Sequence, residues 1–523
     1  MRSHQASNHA LLLAGCSVLA LGLSVGMARA KSILIRHNSV VISSSTYDRT
    51  QGAIASLTIG TTLAKSATAT AMAVAGNNYV TTWNNASVDG SYGVTSPIQL
   101  TDISAANDVV LRTFGVPTSQ VVTSFSSKSE LGLHITQDKH GREGGDGGGD
   151  DRGDDRGYHL VFVGYGGAGV GALDVSNSDA VVGQDPTNPV THAFGSTHAF
   201  HRTIVSMGVY GNFAYTPTIA YGGNNGRSVL LGSNGLYYAV GNANNGDAAT
   251  FGPSNGTNPD VTETTGLEAV NPINGVTSSA AIPANNSAEV DPLIQYTFPP
   301  SPPNKPDKPG KDNNYRGITE YNGALYFTKG SGSNGIDTVY TVSTLPTVAN
   351  AASTKISVVP GFPTDSARAT GGNYTPFAVF FANARTMYVT DEGSGNSTDT
   401  ANHAGLEKWS LVKGTWQLDY VLTKGLIGTV DTNLTGYDGQ YPDVTTVGLR
   451  NLTGVVHGNT VTLWATTSTS SASGDQGADP NKVVKITDIL EATTLSGPVK
   501  LESFKTVMGP TYGTVYRGVA YAK

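Results

Sequence analysis

The chain has 523 residues, 64 of them glycine, one cysteine, 14% charged residues and a net charge of -7. The acidic balance argues against a general nucleic-acid binder, and a lone cysteine excludes a disulfide framework or a thiolate metal cluster. Few stretches carry a helical period, so an all-β fold of short strands and Gly-rich turns is expected.

Residues 1–30 read as a secretion signal. A basic start at Arg2 precedes an apolar run from Ala10 to Met27, and Ala28-Arg29-Ala30 fits a small-x-small cleavage site. Leu13-Ala14-Gly15-Cys16 also matches a lipoprotein box, so an anchor through Cys16 is the alternative to a soluble secreted or periplasmic chain. This apolar run is the only segment long enough to cross a membrane, so the mature chain should have no transmembrane span.

From there one grammar recurs: a short apolar strand leading into a polar loop. Val40-Val41-Ile42 leads to Tyr47-Asp48, Tyr79-Val80-Thr81 to Trp83, and His159 to Val163 to Gly164-Tyr165. Leu236-Tyr237-Tyr238, Leu325-Tyr326-Phe327, Met387-Tyr388-Val389 and Val461 to Trp464 begin the later units. Asn-Gly pairs at Asn234-Gly235 and Asn322-Gly323 signal tight hairpins, because both turn residues must accept positive φ. Seven such units predict a seven-bladed β-propeller over residues 31–523 as one domain. Tyr516 to Tyr521 reads as an inner strand and Ser39 to Ser43 as a second strand. Sharing one blade between the two would close the ring and remove exposed edges.

The repeats Met387-Tyr388-Val389-Thr390-Asp391-Glu392 and Asn78-Tyr79-Val80-Thr81 resemble those of YVTN-type propellers, relatives of NHL and regucalcin-type propellers of secreted bacterial proteins. That resemblance implies the fold. It does not imply one activity, since such propellers host binding proteins, lyases, lactonases and redox enzymes. The one-Glu metal set of regucalcin-type enzymes has no match here, residue by residue.

Two segments interrupt the pattern. Residues 137–157, rich in Gly, Asp and Arg, cannot bury a core and are expected to be a disordered insert between His134-Ile135 and His159-Leu160. Residues 299–312 form a Pro/Lys-rich connector.

In a propeller the starts of the inner strands ring one mouth of the central funnel. Here those positions carry Lys128, Arg227, Arg316, Arg450 and Arg517. Cations so placed need acids or a bound anion to neutralise them, and guanidinium groups suit carboxylate or phosphate. Asp48, Glu130, Asp391, Glu392, Asp475 and Asp479 are the internal acids on the same face. Pinning of each Arg to an adjacent blade competes with the anion-site reading. Asp391, Glu392 and Glu130 are the candidate acid–base groups. Trp83, Tyr315, Tyr165, Tyr374 and Tyr47 are expected at the rim, where Trp83 and Tyr315 would stack on a ligand.

His192, His198 and His201 lack a nearby carboxylate or cysteine to complete a metal set. The Gly/Asp insert leaves calcium as a weak candidate cofactor and fails the nonapeptide register. No G-x-S-x-G elbow, HExxH, Walker loop or haem motif is present. The expectation is a monomer that binds an anionic small molecule or polysaccharide, such as a polyuronate, organic phosphate or carboxylate. A lyase or hydrolase acting on such a ligand, and a non-catalytic interaction scaffold, are the competing functions.

Overall fold

The computed structural model describes residues 35–46, 95–124, 128–137, 158–172, 175–177, 200, 202–218, 220–221, 225–242, 267–272, 314–331, 336–347, 354, 356–364, 374–395, 403–432, 434–436, 439–472 and 477–523. The expected signal (1–30), Asp48, Trp83, the three-His segment, most of the Gly/Asp insert and the Pro/Lys connector lie outside them. The described residues contain no α-helix, only 3-10 turns such as Val175–Asn177 and Val499–Leu501. No helix among them is long and apolar enough to cross a membrane.

The described residues form an all-β propeller of six blades, where seven are expected from the sequence. Blade 1 runs, inner strand first, Thr514–Ala522, Ser39–Thr46, Ile98–Ser104 and Val110–Gly115. Blade 2 runs His134–Gln137, Tyr158–Gly166, Arg202–Gly208 and Phe213–Thr218, with Val121–Ser124 also pairing to its second strand. Blade 3 shows three described strands, Gly226–Leu231, Tyr237–Gly241 and Leu267–Val270. Blade 4 is Tyr315–Tyr321, Ala324–Lys329, Thr338–Val342 and Ser357–Val358. Blade 5 is Pro376–Asn383, Thr386–Asp391, Gly405–Val412 and Thr415–Leu422. Blade 6 is Val444–His457, Thr460–Ser471, Val483–Ile489 and Lys505–Met508.

Six of the seven apolar triplets seen in the sequence lie in the second strand of a blade. The seventh, Tyr79 to Thr81, lies outside the described residues, which is where the count of blades parts from the count of triplets. Strands of a propeller are buried on both faces, and alternate side chains feed opposite cores. Met387 and Val389 enter the core shared with blade 4, while Tyr388 enters the core shared with blade 6. Leu160 and Phe162 face blade 1, whereas Val161 and Val163 face blade 3. The terminal strands pair from Ser39 with Ala522 to Thr46 with Thr514, and Val40, Ile42 and Val519 pack against Trp464 and Val483 of blade 6. Asn322 and Gly323 take φ of 50° and 75° in the two-residue turn of blade 4, as the Asn-Gly signal requires.

The inner strands share a defect that positions the site. Each of four has a register break at an arginine: Arg227 between Gly226 and Ser228, Arg316 between Tyr315 and Ile318, Arg450 between Leu449 and Leu452, and Arg517 between Tyr516 and Val519. Blade 5 has the same break with Phe377 in that place. A bulge re-aims one side chain and leaves backbone groups without ladder partners. Hydroxyls on second strands satisfy them across the blade boundary. Thr390 Oγ1 accepts from Ala378 N of its own blade (3.0 Å) and donates to Arg450 O of the next. Thr328 Oγ1 accepts from Gly317 N (3.2 Å) and donates to Phe377 O (2.6 Å). Ser43 Oγ accepts from Gly518 N (2.7 Å) and donates to Leu131 O (2.8 Å). Thr466 Oγ1 donates to Arg517 O (3.1 Å). Close approach at these bulges excludes larger residues: a Cβ on Gly317 would sit 2.4 Å from Phe377 O.

Candidate functional site: a cation cluster around Glu392

Glu392 follows the second strand of blade 5 and is buried, with 2% of its side chain exposed. Three cations from three other places in the fold converge on it. Lys128 Nζ lies 3.0 Å from Oε2, Arg316 Nη2 of blade 4 lies 3.6 Å from Oε1, and Arg450 Nε of blade 6 lies 3.4 Å from Oε2. Arg316 also donates to Ser129 Oγ and Ser331 Oγ, and its guanidinium stands 5.9 Å from the centre of the Phe377 ring. Two of the four arginines, Arg316 and Arg450, thus reach Glu392 from register breaks that the sequence does not reveal.

The electrostatics follow from burial. Burial alone would push Glu392 up, but the charges of Lys128, Arg316 and Arg450 overrule it and hold the carboxyl at about 2. Glu392 is thus a fixed negative charge at neutral pH, which suits a counter-ion better than a proton donor. Lys128 falls to about 8, through burial and then the repulsion of Arg316 and Arg450, against the pull of Glu392. It keeps 26% of its side chain exposed, whereas Arg316 and Arg450 are buried. Burial is the first cause of the Lys128 shift, and the repulsion of the two neighbouring guanidinium groups adds to it.

Arg227 and Arg517 flank this centre. Arg227 donates to Asn314 Oδ1 and to Tyr315 O (3.0 Å), tying blade 3 to blade 4, and burial and then Arg316 hold it well below the ordinary guanidinium range. Arg517 donates to Ser45 Oγ (2.9 Å) and Gly477 O (3.1 Å). These two fit the pinning reading, and Arg316 and Arg450 add contact with the buried acid. Glu130 accepts from Tyr165 OH (2.8 Å), Thr123 Oγ1 (2.9 Å) and Ser124 N (3.1 Å); burial raises its pKa against the field of Arg517. Asp479 accepts from Tyr441 OH (2.8 Å) and Ser471 Oγ (2.7 Å). Asp475 and Asp48 lie outside the described residues.

Asp391 serves the turn itself. Its carboxylate accepts from Thr375 N (2.7 Å), Thr375 Oγ1 and Gly393 N (2.8 Å), which fixes the turn that presents Glu392. Burial and then the Glu407 carboxylate push Asp391 up to about 7. Glu407 is fully buried and accepts from Trp409 Nε1 (2.7 Å) and Tyr374 OH (3.0 Å), and His403 Nδ1 lies 2.6 Å from its other oxygen. His403 is raised by that contact, against burial. Sequence reasoning missed Glu407 and His403, whose only signal is an i, i+4 spacing across a loop–strand junction.

The rim aromatics are corrected by burial. Tyr315 is fully buried and packs its ring 4.6 Å from Phe327 and 5.6 Å from Tyr340, inside the core between blades 3 and 4. Tyr165 and Tyr374 are also buried, each donating to a buried carboxylate. An aromatic at the start of an inner strand is drawn into the blade interface because the bulge turns its neighbour, the arginine, toward the axis. Trp83 and Tyr47 lie outside the described residues, as do His192, His198 and His201. No group of His, Cys, Asp and Glu among the described residues is arranged to hold a metal.

No protein-family model matches the chain, and no curated protein sequence does. Among solved structures it is similar to a Bombyx mori GH32 beta-fructofuranosidase mutant in complex with sucrose, at 12% identity and a TM-score of 0.26, over 65% of this chain and 58% of that one. The chain thus spans less than two thirds of that enzyme. A Bacillus subtilis glycoside hydrolase family 43 arabinoxylan arabinofuranohydrolase in complex with cellotetraose aligns at 11% identity and a TM-score of 0.28, over 93% and 89%. Superpositions this loose bear neither on fold nor on function, and the propeller rests on its own sheets.

Proposed function

We propose that this chain is a secreted propeller, closed by the blade its two terminal strands share, that binds an anionic ligand at the Arg-lined mouth of its axis. Polyuronates, organic phosphates and carboxylated small molecules have the charge the cluster would recognise. The observation that carries the reading is the convergence of Lys128, Arg316 and Arg450 on the single buried carboxylate of Glu392. Fixed guanidinium groups need no reorganisation to receive a second carboxylate or phosphate. Lys128, the solvent-facing member, is the first contact for an incoming anion. The YVTN-like repeat grammar is compatible with such a binding role and does not select it.

The test is calorimetric titration with tri-galacturonate, inositol hexakisphosphate, citrate and sulfate. At least one should bind, with affinity falling as salt rises. Lys128→Ala should weaken it about tenfold, the loss of one charge-assisted contact worth about 1.5 kcal/mol, with the fold intact. If every anion binds the variant and the wild type equally, the cluster is purely structural.

A further inference from the structure

We infer that anion binding at the Glu392 cluster is linked to proton uptake by the adjoining Asp391–Glu407–His403 relay, so that affinity rises as pH falls through neutrality. The inference rests on the anion-site reading and adds to it a positioning and pH-sensing role for three residues outside the cluster.

Contacts run from solvent through His403 to Glu407 and from Asp391 to the turn that carries Glu392, and between the two carboxylates the link is their mutual repulsion. His403 keeps 32% of its side chain exposed while its Nδ1 touches the fully buried Glu407. Glu407 is fixed from its other side by Trp409 Nε1 and Tyr374 OH, and the Tyr374 ring stands edge-on to His403 with centres 5.0 Å apart. The Glu407 carboxylate acts in turn on Asp391, and Asp391 holds the backbone turn that ends in Glu392 through Thr375 and Gly393. Among the described residues the charged groups facing this path are Glu407, Asp391 and His403 themselves, and beyond the turn Glu392 with Lys128, Arg316 and Arg450. Tyr374 stays neutral, its pKa raised by burial and then by Glu407 and Asp391.

Two buried carboxylates with one imidazole cannot all carry charge cheaply. A proton gained by His403 or Asp391 makes this face less negative, which favours an anion next to Glu392. Reciprocity then requires the bound anion to raise the proton affinity of the relay. Burial and Glu407 hold Asp391 at about 7, so the exchange falls at neutral pH, whereas Lys128 would exchange its proton nearer 8.

The experiment titrates the full chain with sulfate and with tri-galacturonate, neither of which takes up a proton near neutrality. It is run in buffers of different ionisation enthalpy, at a pH below 7 and again above it. Protons should be taken up per anion bound, and affinity should fall about fivefold across the interval. His403→Gln and Asp391→Asn should each reduce the uptake and flatten the pH dependence; a purely structural role would change neither midpoint nor proton count. His403→Gln alters a half-buried side chain whose shape glutamine nearly keeps, so it reports even if Asp391→Asn fails to fold. Binding with no proton uptake, or uptake unchanged in His403→Gln, overturns the relay and leaves the anion site standing. Absence of binding by either anion overturns this inference together with the reading beneath it.

Discussion

Glu392→Gln tests whether the centre of the cluster is a counter-ion. In the folded protein the carboxyl sits at about 2 against an ordinary 4.5. At about 1.4 kcal/mol per pH unit, that distance is worth about 3 kcal/mol of stabilisation at neutral pH. The figure matches the cost of breaking a buried ion pair, about 3 kcal/mol or more. A depressed carboxyl pKa gives stability that is fully present above 4.5 and is lost as pH falls toward 2. Urea unfolding of wild type and Glu392→Gln should therefore differ by about 3 kcal/mol at pH 7, with the two curves converging in acid. The variant also leaves Lys128, Arg316 and Arg450 without their acid, so added sulfate should stabilise it more than it stabilises the wild type. Equal stability at pH 7, or a gap that persists to the acid limit, would refute the counter-ion argument.

Thr390→Val keeps the shape of the side chain but strips partners from Ala378 N and Arg450 O, and should cost about 2 kcal/mol in urea unfolding. A cost near zero would mean that water replaces the hydroxyl. Asp488→Asn should cost about 3–5 kcal/mol, because Lys408 is buried 2.9 Å from that carboxylate and Tyr388 and Tyr420 also donate to it; pairing the change with Lys408→Met should recover much of the loss. Arg450→Met should weaken anion binding while costing only about 1 kcal/mol of stability, since Thr390 still has the backbone carbonyl at that position as its acceptor. Loss of the fold in this variant would show that the guanidinium, not the carbonyl, joins blades 5 and 6.

Much of the architecture is legible in the residues because a blade strand has two buried faces. The triplet Met387-Tyr388-Val389 and its counterparts announce second strands, and Asn322-Gly323 announces a turn whose geometry few other pairs accept. Ser43, Thr328 and Thr390 directly follow three of the apolar runs and Thr466 lies two residues past a fourth, and each bridges to the neighbouring blade. Their purpose was hidden because it depends on bulges in strands distant in sequence. The basic positions Arg227, Arg316, Arg450 and Arg517 could be read from the chain, and Glu392 stood among six candidate acids, but its convergence with Lys128, Arg316 and Arg450 could not be read. Glu392 meets Lys128 and Arg316 only through the ring, and nothing local distinguishes it from Asp391, whose side chain leaves the same turn toward Glu407. Of the seven apolar runs, six lie in blades of the described residues, and the seventh, Tyr79 to Thr81, lies outside those residues.

Pinning and anion binding need not compete for the same arginines. At three of the bulges, those of Arg450, Arg517 and Phe377, one residue serves two ends of the fold: its carbonyl takes a hydroxyl from the preceding blade, and its side chain is free of the ladder. Phe377 separates these duties. It accepts from Thr328 through its carbonyl as Arg450 does from Thr390, yet it brings no charge. The junction between blades thus works without a guanidinium. Buried cations repel and lose hydration, so a ring needing only mechanical closure would be expected to favour neutral side chains at all such positions. That Arg316 and Arg450 converge with Lys128 on one carboxylate, at desolvation cost and with the Lys128 ammonium holding its proton less tightly, is charge retained beyond what the backbone junctions require.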